Sequence, residues 1–288
     1  MLRGLWRACF GIDPGPIESP TLFECDCGLR FFHPARAGDA DFYRATYASR
    51  RFRAWMTAPA SDHADFLAAV AHIRPGDTVL DVGGHAGAFA TLLPAGARCT
   101  VIDPYADHYD AGGVLCESAA AHAARVGPAY DVVTGFQVIE HVEQPQALLR
   151  DMLACLKPGG LLVLAGPSWP SQLTELPNMV VNAPPHHLSW WSPRALAGLA
   201  ERHGLVVLEA RNLTGTAALR RVYYWLHRLL PKMPVDAPFR AAWSLHVRLA
   251  LVGLAQPLLN RLLGVGPPGL FTDCFLLARK PGGTGAAD

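Results

Sequence analysis

From residue 78 to residue 211, short apolar runs alternate with segments whose apolar residues recur every three or four positions. The apolar runs predict strands and read TVLDVG, CTVID, GVLCE, YDVVTGF, GGLLVLAGP and LVVLEA. The periodic segments predict helices and read AGAFATLLP, AAAHAARVG, PQALLRDMLACL and SPRALAGLAERHG. Strands that are apolar throughout and alternate with helices indicate a parallel sheet covered on both faces.

A last strand, LFTDCFLLARKP, follows a helical insertion. The predicted fold is therefore α/β: a doubly wound, mostly parallel seven-stranded sheet with helices on both faces and a helical insertion before the last strand. The core covers 74–213 plus 268–281, and the insertion covers 214–267. We expect an N-terminal irregular and helical segment over 1–73 and a flexible tail over 282–288.

The N-terminal segment divides at Asp39. Residues 1–38 are rich in glycine and proline and are predicted to be irregular, whereas Asp39–Ile73 carries apolar residues at helical spacing. The stretch LKPGG reads as a turn between a helix and a strand, with structural glycines only.

Composition narrows the class of protein. Of 288 residues, 51% are hydrophobic and 17% charged, which favours a well-buried globular core. The net charge of +1 argues against nucleic acid as a partner. Seven irregularly spaced cysteines do not suggest a disulfide framework, and Met1–Phe10 lacks the long apolar stretch of a secretory signal. We therefore expect a cytoplasmic protein.

The glycine-rich turn in VLDVGGHAGAFA indicates a ligand site. A dinucleotide fingerprint would read G-x-G-x-x-G, but here Asp81 precedes Gly83, His85 and Gly87 at alternate positions. A carboxylate at the strand end disfavours phosphate and suits a cationic amino group. Asp103 ends the next strand 22 residues on, where a carboxylate accepts hydrogen bonds from a ribose. A ribose and a cationic amino-acid portion without phosphates describe S-adenosylmethionine.

Four segments in this order resemble the class I S-adenosylmethionine-dependent methyltransferases, especially the small-molecule group that includes the ubiquinone-biosynthesis enzymes. They are VLDVGGHAG, VIDP, YDVVTGFQVIEHVEQPQALLRDMLACLKPGGLLVLAGP and PPHHLSWWSPRALAGLAERHGLVVLE. The resemblance implies a cofactor site made of Asp81, Gly83, Gly84, His85, Gly87, Asp103, Glu117, Ser118, Phe136, Gln137 and Val138. It also implies methyl transfer to oxygen or carbon of a small or lipid-linked acceptor.

One residue departs from the family pattern, which has glycine at the position of His85. Gly83 and Gly87 remain, and histidine tolerates positive φ better than most other residues. We expect the site to bind the cofactor all the same.

Two histidines are candidates for catalysis. His141, after the fourth strand, could act as a general base or as a structural histidine beside the next helix. His186, in PPHHLSWW on the acceptor side, could supply a base or be satisfied in the core; Trp190 and Trp191 could cover an acceptor or staple the next helix. Many members of this class need no single indispensable catalytic residue.

The stretch FECDCGLRFFHP resembles a degenerate form of an N-terminal zinc module found in relatives. Zinc prefers four suitably spaced ligands, and Cys9, Cys25, Cys27 and His33 are poorly spaced. We predict no metal there.

The insertion combines apolar helical patterns with most of the basic excess. Seven lysines and arginines and one aspartate lie between Asn212 and Thr272. We expect 216–267 to form a lid or a homodimer interface, or to rest on an anionic membrane surface. The alternatives to an enzyme of this class are a nucleotide-dependent reductase, for which the motifs are lacking, and a non-catalytic methyltransferase-like module that binds a membrane or a partner.

Overall fold

A computed structural model describes residues 1–52, 58–108, 112–172, 174–175, 179–215, 224–230, 242–264 and 271–282. A seven-stranded sheet dominates it. Its strands are β3 (Thr78–Val82), β4 (Arg98–Ile102), β5 (Val114–Leu115), β6 (Tyr130–Phe136), β7 (Leu156–Pro167), β9 (Val206–Thr214) and β10 (Phe271–Arg279). Three further short strands, β1 (Thr21–Glu24), β2 (Arg30–His33) and β8 (Ser189–Trp190), form a separate antiparallel sheet.

The strand order of the large sheet is β5-β4-β3-β6-β7-β10-β9. The pairs from β5 to β7 are parallel, and β10 runs antiparallel between β7 and β9. The order reverses beside β3, so β3 and β6 end at the topological switch point where ligands of such sheets bind. The predicted mostly parallel seven-stranded sheet is confirmed.

The helices whose whole span is described are α1 (Leu2–Phe10), α2 (Ala40–Ala48), α3 (Ala64–Val70), α4 (Ala119–Val126), α5 (Pro145–Cys155), α6 (Pro193–Arg202) and α7 (Trp243–Leu263). Residues 224–229 are helical as well. Alternate residues of β3 serve opposite faces of the sheet, as the pleat requires. Leu80 packs with residues of α4, α5 and α6, whereas Val79 packs with residues of α3. Helices therefore cover both faces.

The ends of several helices follow their sequence signals. Ser192 accepts a hydrogen bond from the Ala195 N–H at 3.1 Å and caps α6, whose first residue is Pro193. Gly204 follows with φ 75° and lets the chain turn back toward the sheet.

Four local predictions are wrong. Residues 1–38 contain α1 and the β1–β2 hairpin, because Leu2, Leu5 and Trp6 give the first helix a buried face. The segment AGAFATLLP forms only a 3₁₀ turn over Phe89–Leu92. Too few residues separate Gly87, at φ 74°, from Pro94 for an α-helix of ordinary length.

The other two corrections concern Pro257 and the LKPGG turn. Proline is a helix breaker, so Pro257 predicts an interruption of the second helical pattern of the insertion, but helix α7 runs through it. LKPGG belongs to β7, and a register shift between the Tyr130 and Val132 pairings absorbs its extra residues.

Besides the buried side chains on the two faces of the large sheet, a third group of buried side chains lies over the carboxyl-terminal ends of its parallel strands. It joins α1, α2 and the small sheet, and its members include Trp6, Phe32, Phe42, Phe52, Trp169 and Trp190. Leu245, Leu249 and Val252 on one side of α7 pack against the same group. The N-terminal segment and the insertion thus lie over the edge where the ligand site is expected.

The length and hydropathy of the described helices show whether any of them could cross a membrane. None of the helices in the described part of the chain is both long and apolar enough to cross a bilayer. The first predicted helix of the insertion begins within 216–223, which lies outside the described residues, as do 231–241 and 283–288.

Candidate cofactor and acceptor site

The glycine turn leaves β3 and folds back beside the end of β4. The Gly83 N–H donates to the Ile102 carbonyl at 2.8 Å, and the Gly87 N–H donates to the Gly84 carbonyl at 2.8 Å. Gly83 and Gly87 have φ values of 70° and 74°. Glycine adopts such values at no steric cost, which explains both residues.

Gly83 and Gly84 also lack room for a side chain. A Cβ on Gly83 would lie 2.5 Å from Cγ2 of Val138, in the loop after β6. A Cβ on Gly84 would lie 2.4 Å from Asp81 Oδ2 and 2.5 Å from Val101 Cγ1. The backbone of the turn therefore packs closely on both neighbouring strand ends.

His85 occupies the same kind of backbone conformation, with φ 48°. Its N–H donates to Asp103 Oδ2 at 3.3 Å. Its imidazole lies against Tyr47 of α2, with ring centroids 4.8 Å apart. The departure from glycine is thus accommodated by the left-handed conformation and by an aromatic contact on the α2 side.

Asp103 is fixed at the end of β4. Its Oδ1 accepts the Tyr105 N–H at 2.8 Å, while Oδ2 accepts the His85 N–H. A carboxylate has about four acceptor sites, so both oxygens keep capacity for further donors. A pair of vicinal ribose hydroxyls would supply such donors.

Asp81 is almost completely buried, with 1% of its surface exposed. Thr134 Oγ1 of β6 donates to its Oδ1 at 2.8 Å. Burial raises the pKa of Asp81 to about 7, and the negative charges of Asp65 and Asp103 act in the same direction. A cation at this place would favour the ionised carboxylate.

Two further carboxyl groups, Asp65 of α3 and Asp273 of β10, meet at Gln137. The Gln137 amide donates to Asp273 Oδ1 at 3.2 Å and to Asp65 Oδ2 at 3.4 Å, and Gln137 itself has φ 54°. Burial raises the pKa of Asp65, and it raises the pKa of Asp273 to about 7.

Charge complementarity therefore favours a positively charged ligand. Within the described residues, no lysine or arginine pairs with Asp65, Asp81, Glu140 or Asp273. S-adenosylmethionine carries a sulfonium and an ammonium group and fits this site. A dinucleotide, with its phosphates, does not.

The remaining predicted cofactor residues divide into two pairs. Val138 touches the glycine turn as described, whereas Phe136 packs below it in the core, with its ring centroid 4.7 Å from that of Phe89. Glu117 binds His122 and Arg125, and Ser118 caps α4 by accepting the Ala121 N–H at 3.2 Å. Both side chains of this second pair are thus engaged in local structure.

His141 and His186 lie together, and His187 joins them. The ring centroid of His141 lies 4.6 Å from that of His186 and 4.9 Å from that of His187. His141 Nδ1 donates to the His186 carbonyl at 2.6 Å, and His186 Nδ1 donates to the Val181 carbonyl at 3.0 Å. The Leu188 N–H donates to the Glu140 carbonyl at 2.7 Å, so the two loops are tied together.

Burial keeps these imidazoles neutral. It lowers the pKa of His141 to about 4, partly offset by the bond to the His186 carbonyl, and lowers those of His186 and His187 well below the ordinary value. Burial has the opposite effect on the adjacent Glu140, whose pKa rises to about 8. Tyr43 of α2 packs edge-on against His141, with centroids 6.2 Å apart.

The two tryptophans after the histidines are core residues. Trp190 and Trp191 expose 0% and 2% of their surface. The Trp190 indole donates to the Asn182 carbonyl at 2.8 Å, and that of Trp191 donates to Ser189 Oγ at 3.0 Å. They support the histidine loop from below and do not line an open acceptor surface.

Sequence reasoning did not identify Asp65, Asp273, Glu140 or the tyrosines of α2 as parts of the candidate site. An isolated aspartate inside an otherwise apolar strand, as in LFTDCFLL, could have signalled Asp273. Asp65 and Tyr47 gave no such signal, because their place depends on how the N-terminal segment packs over the sheet.

The chain is similar to known methyltransferases. Residues 47–210, more than half of the chain, match the model of a methyltransferase domain. An uncharacterised methyltransferase of Mycobacterium tuberculosis is 31% identical over 141 residues, covering 45% of this chain and 56% of that protein. The chain thus matches only about half the length of such curated relatives.

Two other comparisons concern a short segment of the chain and the fold. A ubiquinone biosynthesis O-methyltransferase of Parvibaculum lavamentivorans is 46% identical over 50 residues, which is 17% of this chain and 19% of that enzyme. The crystal structure of an S-adenosylmethionine-dependent methyltransferase from Archaeoglobus fulgidus superposes with a TM-score of 0.52 at 19% identity. It covers 79% of this chain and 97% of that one, and it shows a shared fold.

Proposed function

Because the chain belongs to the class I S-adenosylmethionine-dependent methyltransferases, we propose that it transfers a methyl group to an oxygen or carbon atom of a small or lipid-linked acceptor. The observation that carries the proposal is the set of buried carboxyl groups near the ends of β3 and β6, which have no lysine or arginine partner among the described residues and would be stabilised in their ionised form by a cationic ligand. Bound S-adenosylmethionine supplies a methyl group already activated on a sulfonium.

Different residues of the cofactor site contact different portions of S-adenosylmethionine. Asp81 and the glycine turn face the methionine portion, and the turn brings its backbone close without a side chain in the way. The Asp103 carboxylate accepts hydrogen bonds from the ribose hydroxyls, and two backbone N–H groups already orient it. Glu117 and Ser118, after β5, border the adenine.

The acceptor lies on the side of α2 and the histidine loop. His141 Nδ1 carries the proton donated to the His186 carbonyl, so Nε2 is unprotonated and can take a proton from an acceptor hydroxyl. His141 Nε2 would take the proton of the acceptor hydroxyl as the hydroxyl oxygen receives the methyl group that bound S-adenosylmethionine would supply. The low pKa of His141 makes it a weak base, which suffices when the donor is already activated and positioned in line.

Helix α7 favours a lipid-linked acceptor. Exposed apolar residues form one stripe along it: Val247, Leu251, Leu254, Leu258 and Leu262, with 55–80% of their surface exposed. Arg248 and Arg261 are exposed on the same helix, which contains no acidic residue. We propose that this face rests on an anionic membrane surface.

An isotope-transfer experiment tests the proposed function. Full-length protein is incubated with methyl-labelled S-adenosylmethionine and either a lipid extract or a polar extract of cells. We expect label in the lipid fraction with wild-type protein and little with Asp81→Ala. Transfer of label into the polar fraction alone would contradict the lipid-linked acceptor. Absence of transfer together with absence of cofactor binding would favour the non-catalytic module.

A further inference from the structure

His141, His186 and His187 form a cluster with features beyond those that a general base requires. One ring nitrogen of each lies within 4.8 Å of the corresponding nitrogens of the other two. His186 and His187 expose 3% and 7% of their surface, and the His141 side chain exposes 14%. Three neutral imidazoles thus converge at a largely buried place, and the His141 side chain keeps some exposure to solvent.

The hydrogen bonds fix which nitrogens carry lone pairs. A backbone carbonyl can only accept, so Nδ1 of His141 and Nδ1 of His186 are both protonated. Their Nε2 atoms are therefore unprotonated in the neutral rings. A ring N–H held by a backbone carbonyl, which leaves the other nitrogen with its lone pair, is the outer-shell arrangement that orients histidine ligands around metal ions.

Unsatisfied polar atoms gather at the same place. His187 Nδ1 and both carboxylate oxygens of Glu140 are buried without a hydrogen-bond partner. Glu140 Oε1 lies 3.6 Å from His141 Nε2. Buried polar groups without partners are costly, so three such atoms at one cluster indicate a missing partner that accepts lone pairs.

We propose that His141, His186 and His187 bind one divalent transition-metal ion of the zinc type, with Glu140 beside it. With the ion bound, His141 Nε2 is a ligand and no longer a base for the acceptor, so the two roles exclude each other. Three imidazoles with an open fourth position are a ligand set of catalytic zinc sites. Zinc–nitrogen bonds of about 2.1 Å in a tetrahedron hold nitrogens about 3.4 Å apart, so the cluster would contract slightly on binding. This site differs from the Cys9, Cys25, Cys27 and His33 set considered in the sequence, which does not come together as a metal site in the described part of the chain.

Packing around the cluster favours a preformed site. The rings of Trp6 and Phe52 lie 5.8 Å and 5.4 Å from His186, and His187 stacks on His186 at 4.6 Å. The loop that carries His186 and His187 is tied to the Glu140–His141 loop through the Leu188 N–H. The ligands therefore need little ordering when an ion enters.

Metal content and cobalt spectroscopy test the site without reference to methyl transfer. Full-length protein is purified without a polyhistidine tag, stripped with a chelator and loaded with Zn²⁺ or Co²⁺. We expect one ion per chain by elemental analysis. With Co²⁺ we expect the intense visible absorption of four-coordinate geometry.

A matched pair of variants locates the ion. His187→Leu should lower the affinity for Zn²⁺ by more than the about 10–100-fold that loss of an outer-shell partner costs. His203→Leu, which alters a half-buried histidine bonded to the Leu199 carbonyl outside the cluster, should leave the affinity unchanged. Circular dichroism checks that both variants fold.

Two results would overturn the inference. One is folded wild-type protein that retains no stoichiometric Zn²⁺ and gives only the weak absorption of octahedral Co²⁺. The other is a wild-type thermal midpoint that Zn²⁺ does not raise above its value in chelator, because an ion that binds only the folded chain must stabilise it. The second measurement needs no variant, so it remains decisive if His187→Leu does not fold.

Discussion

The backbone N–H of His85 donates to the carboxylate of Asp103 at 3.3 Å. This bond joins the turn after β3 to the end of β4. His85 is the residue that departs from the family pattern, and its backbone N–H orients the Asp103 carboxylate that we assign to the ribose. The departure therefore preserves the geometry of the turn, because a backbone group makes the contact and the side chain packs elsewhere, on Tyr47.

We expect His85→Gly to retain the cofactor site. Removing a side chain from φ 48° relieves strain of about 1–2 kcal/mol, while the unfolded chain gains freedom worth about 0.5–1 kcal/mol. The free energy of unfolding should change little, and the affinity for S-adenosylhomocysteine should change less than tenfold, about 1.4 kcal/mol. Urea unfolding and calorimetry measure both quantities.

His85→Val is the matched opposite. A β-branched residue tolerates positive φ poorly, so this variant should be less stable than wild type by about 1–3 kcal/mol. Equal stability of the Val and Gly variants would contradict the left-handed conformation at this position.

Gly84→Ala should damage the site through packing alone. The new Cβ would meet Asp81 Oδ2 at 2.4 Å and Val101 Cγ1 at 2.5 Å. Overpacking of this kind costs about 1–3 kcal/mol, and the displaced Asp81 should weaken cofactor binding. Gly112→Ala is the control, because nothing lies within 4 Å of its added Cβ. Equal thermal midpoints of the two variants would show that the turn is looser than described.

The pH dependence of stability should report the buried Asp81. Its pKa is raised by burial to about 7, with Asp65 and Asp103 adding to the rise and Thr134 opposing it; in the unfolded chain it titrates near its ordinary value of about 4. The folded, cofactor-free protein therefore keeps a proton that the unfolded chain has lost. Stability from this group is present below about pH 4 and is lost as pH rises through about 7.

Urea unfolding of wild type and Asp81→Asn at several values between pH 5 and pH 8 isolates that contribution, because other titrating groups cancel in the difference. We expect wild type to lose stability relative to the variant as pH rises, with a slope of up to about 1.4 kcal/mol per pH unit for one proton. Parallel curves would mean that Asp81 titrates normally.

Helix α7 should carry the protein to anionic vesicles. Replacing exposed Leu251, Leu254 and Leu258 by Glu adds negative charge to the apolar stripe and should abolish flotation with phosphatidylglycerol vesicles. Leu208→Glu, an exposed position on β9, is the control. Equal flotation of wild type and the triple variant would remove the membrane proposal. Dimeric wild type with a monomeric triple variant, seen by light scattering, would assign the stripe to a homodimer instead.

Local patterns predicted the sheet because its strands are short apolar runs whose neighbours in sequence are also neighbours in space. β3, β4, β6 and β7 lie where the pattern indicated, and Ser192 caps α6 as expected. The strand order and the place of β10 between β7 and β9 were not predicted. Glycine spacing located the turn, but it did not indicate the crowding of Gly84 by Val101.

Long-range packing explains what the sequence did not reveal. Trp6 became a core residue because α1 folds back over the histidine loop, a contact between residues 180 positions apart in the chain. Asp65 and Asp273 likewise lie close together because both accept hydrogen bonds from the Gln137 amide. The sequence pattern of their segments gives no sign of this contact. The 3₁₀ turn over Phe89–Leu92 was missed because apolar spacing suggested a helix where glycine and proline leave no length for one.

The central claim is that the turn after β3 and Asp103 bind S-adenosylmethionine. Calorimetric titration of full-length protein with S-adenosylmethionine and S-adenosylhomocysteine tests it most directly, with Asp103→Ala as the site variant and exposed Asp41→Asn as the control. The account predicts micromolar binding to wild type and the control, weakened tenfold or more, about 1.4 kcal/mol, in Asp103→Ala. Folded wild-type protein that binds neither ligand would contradict it.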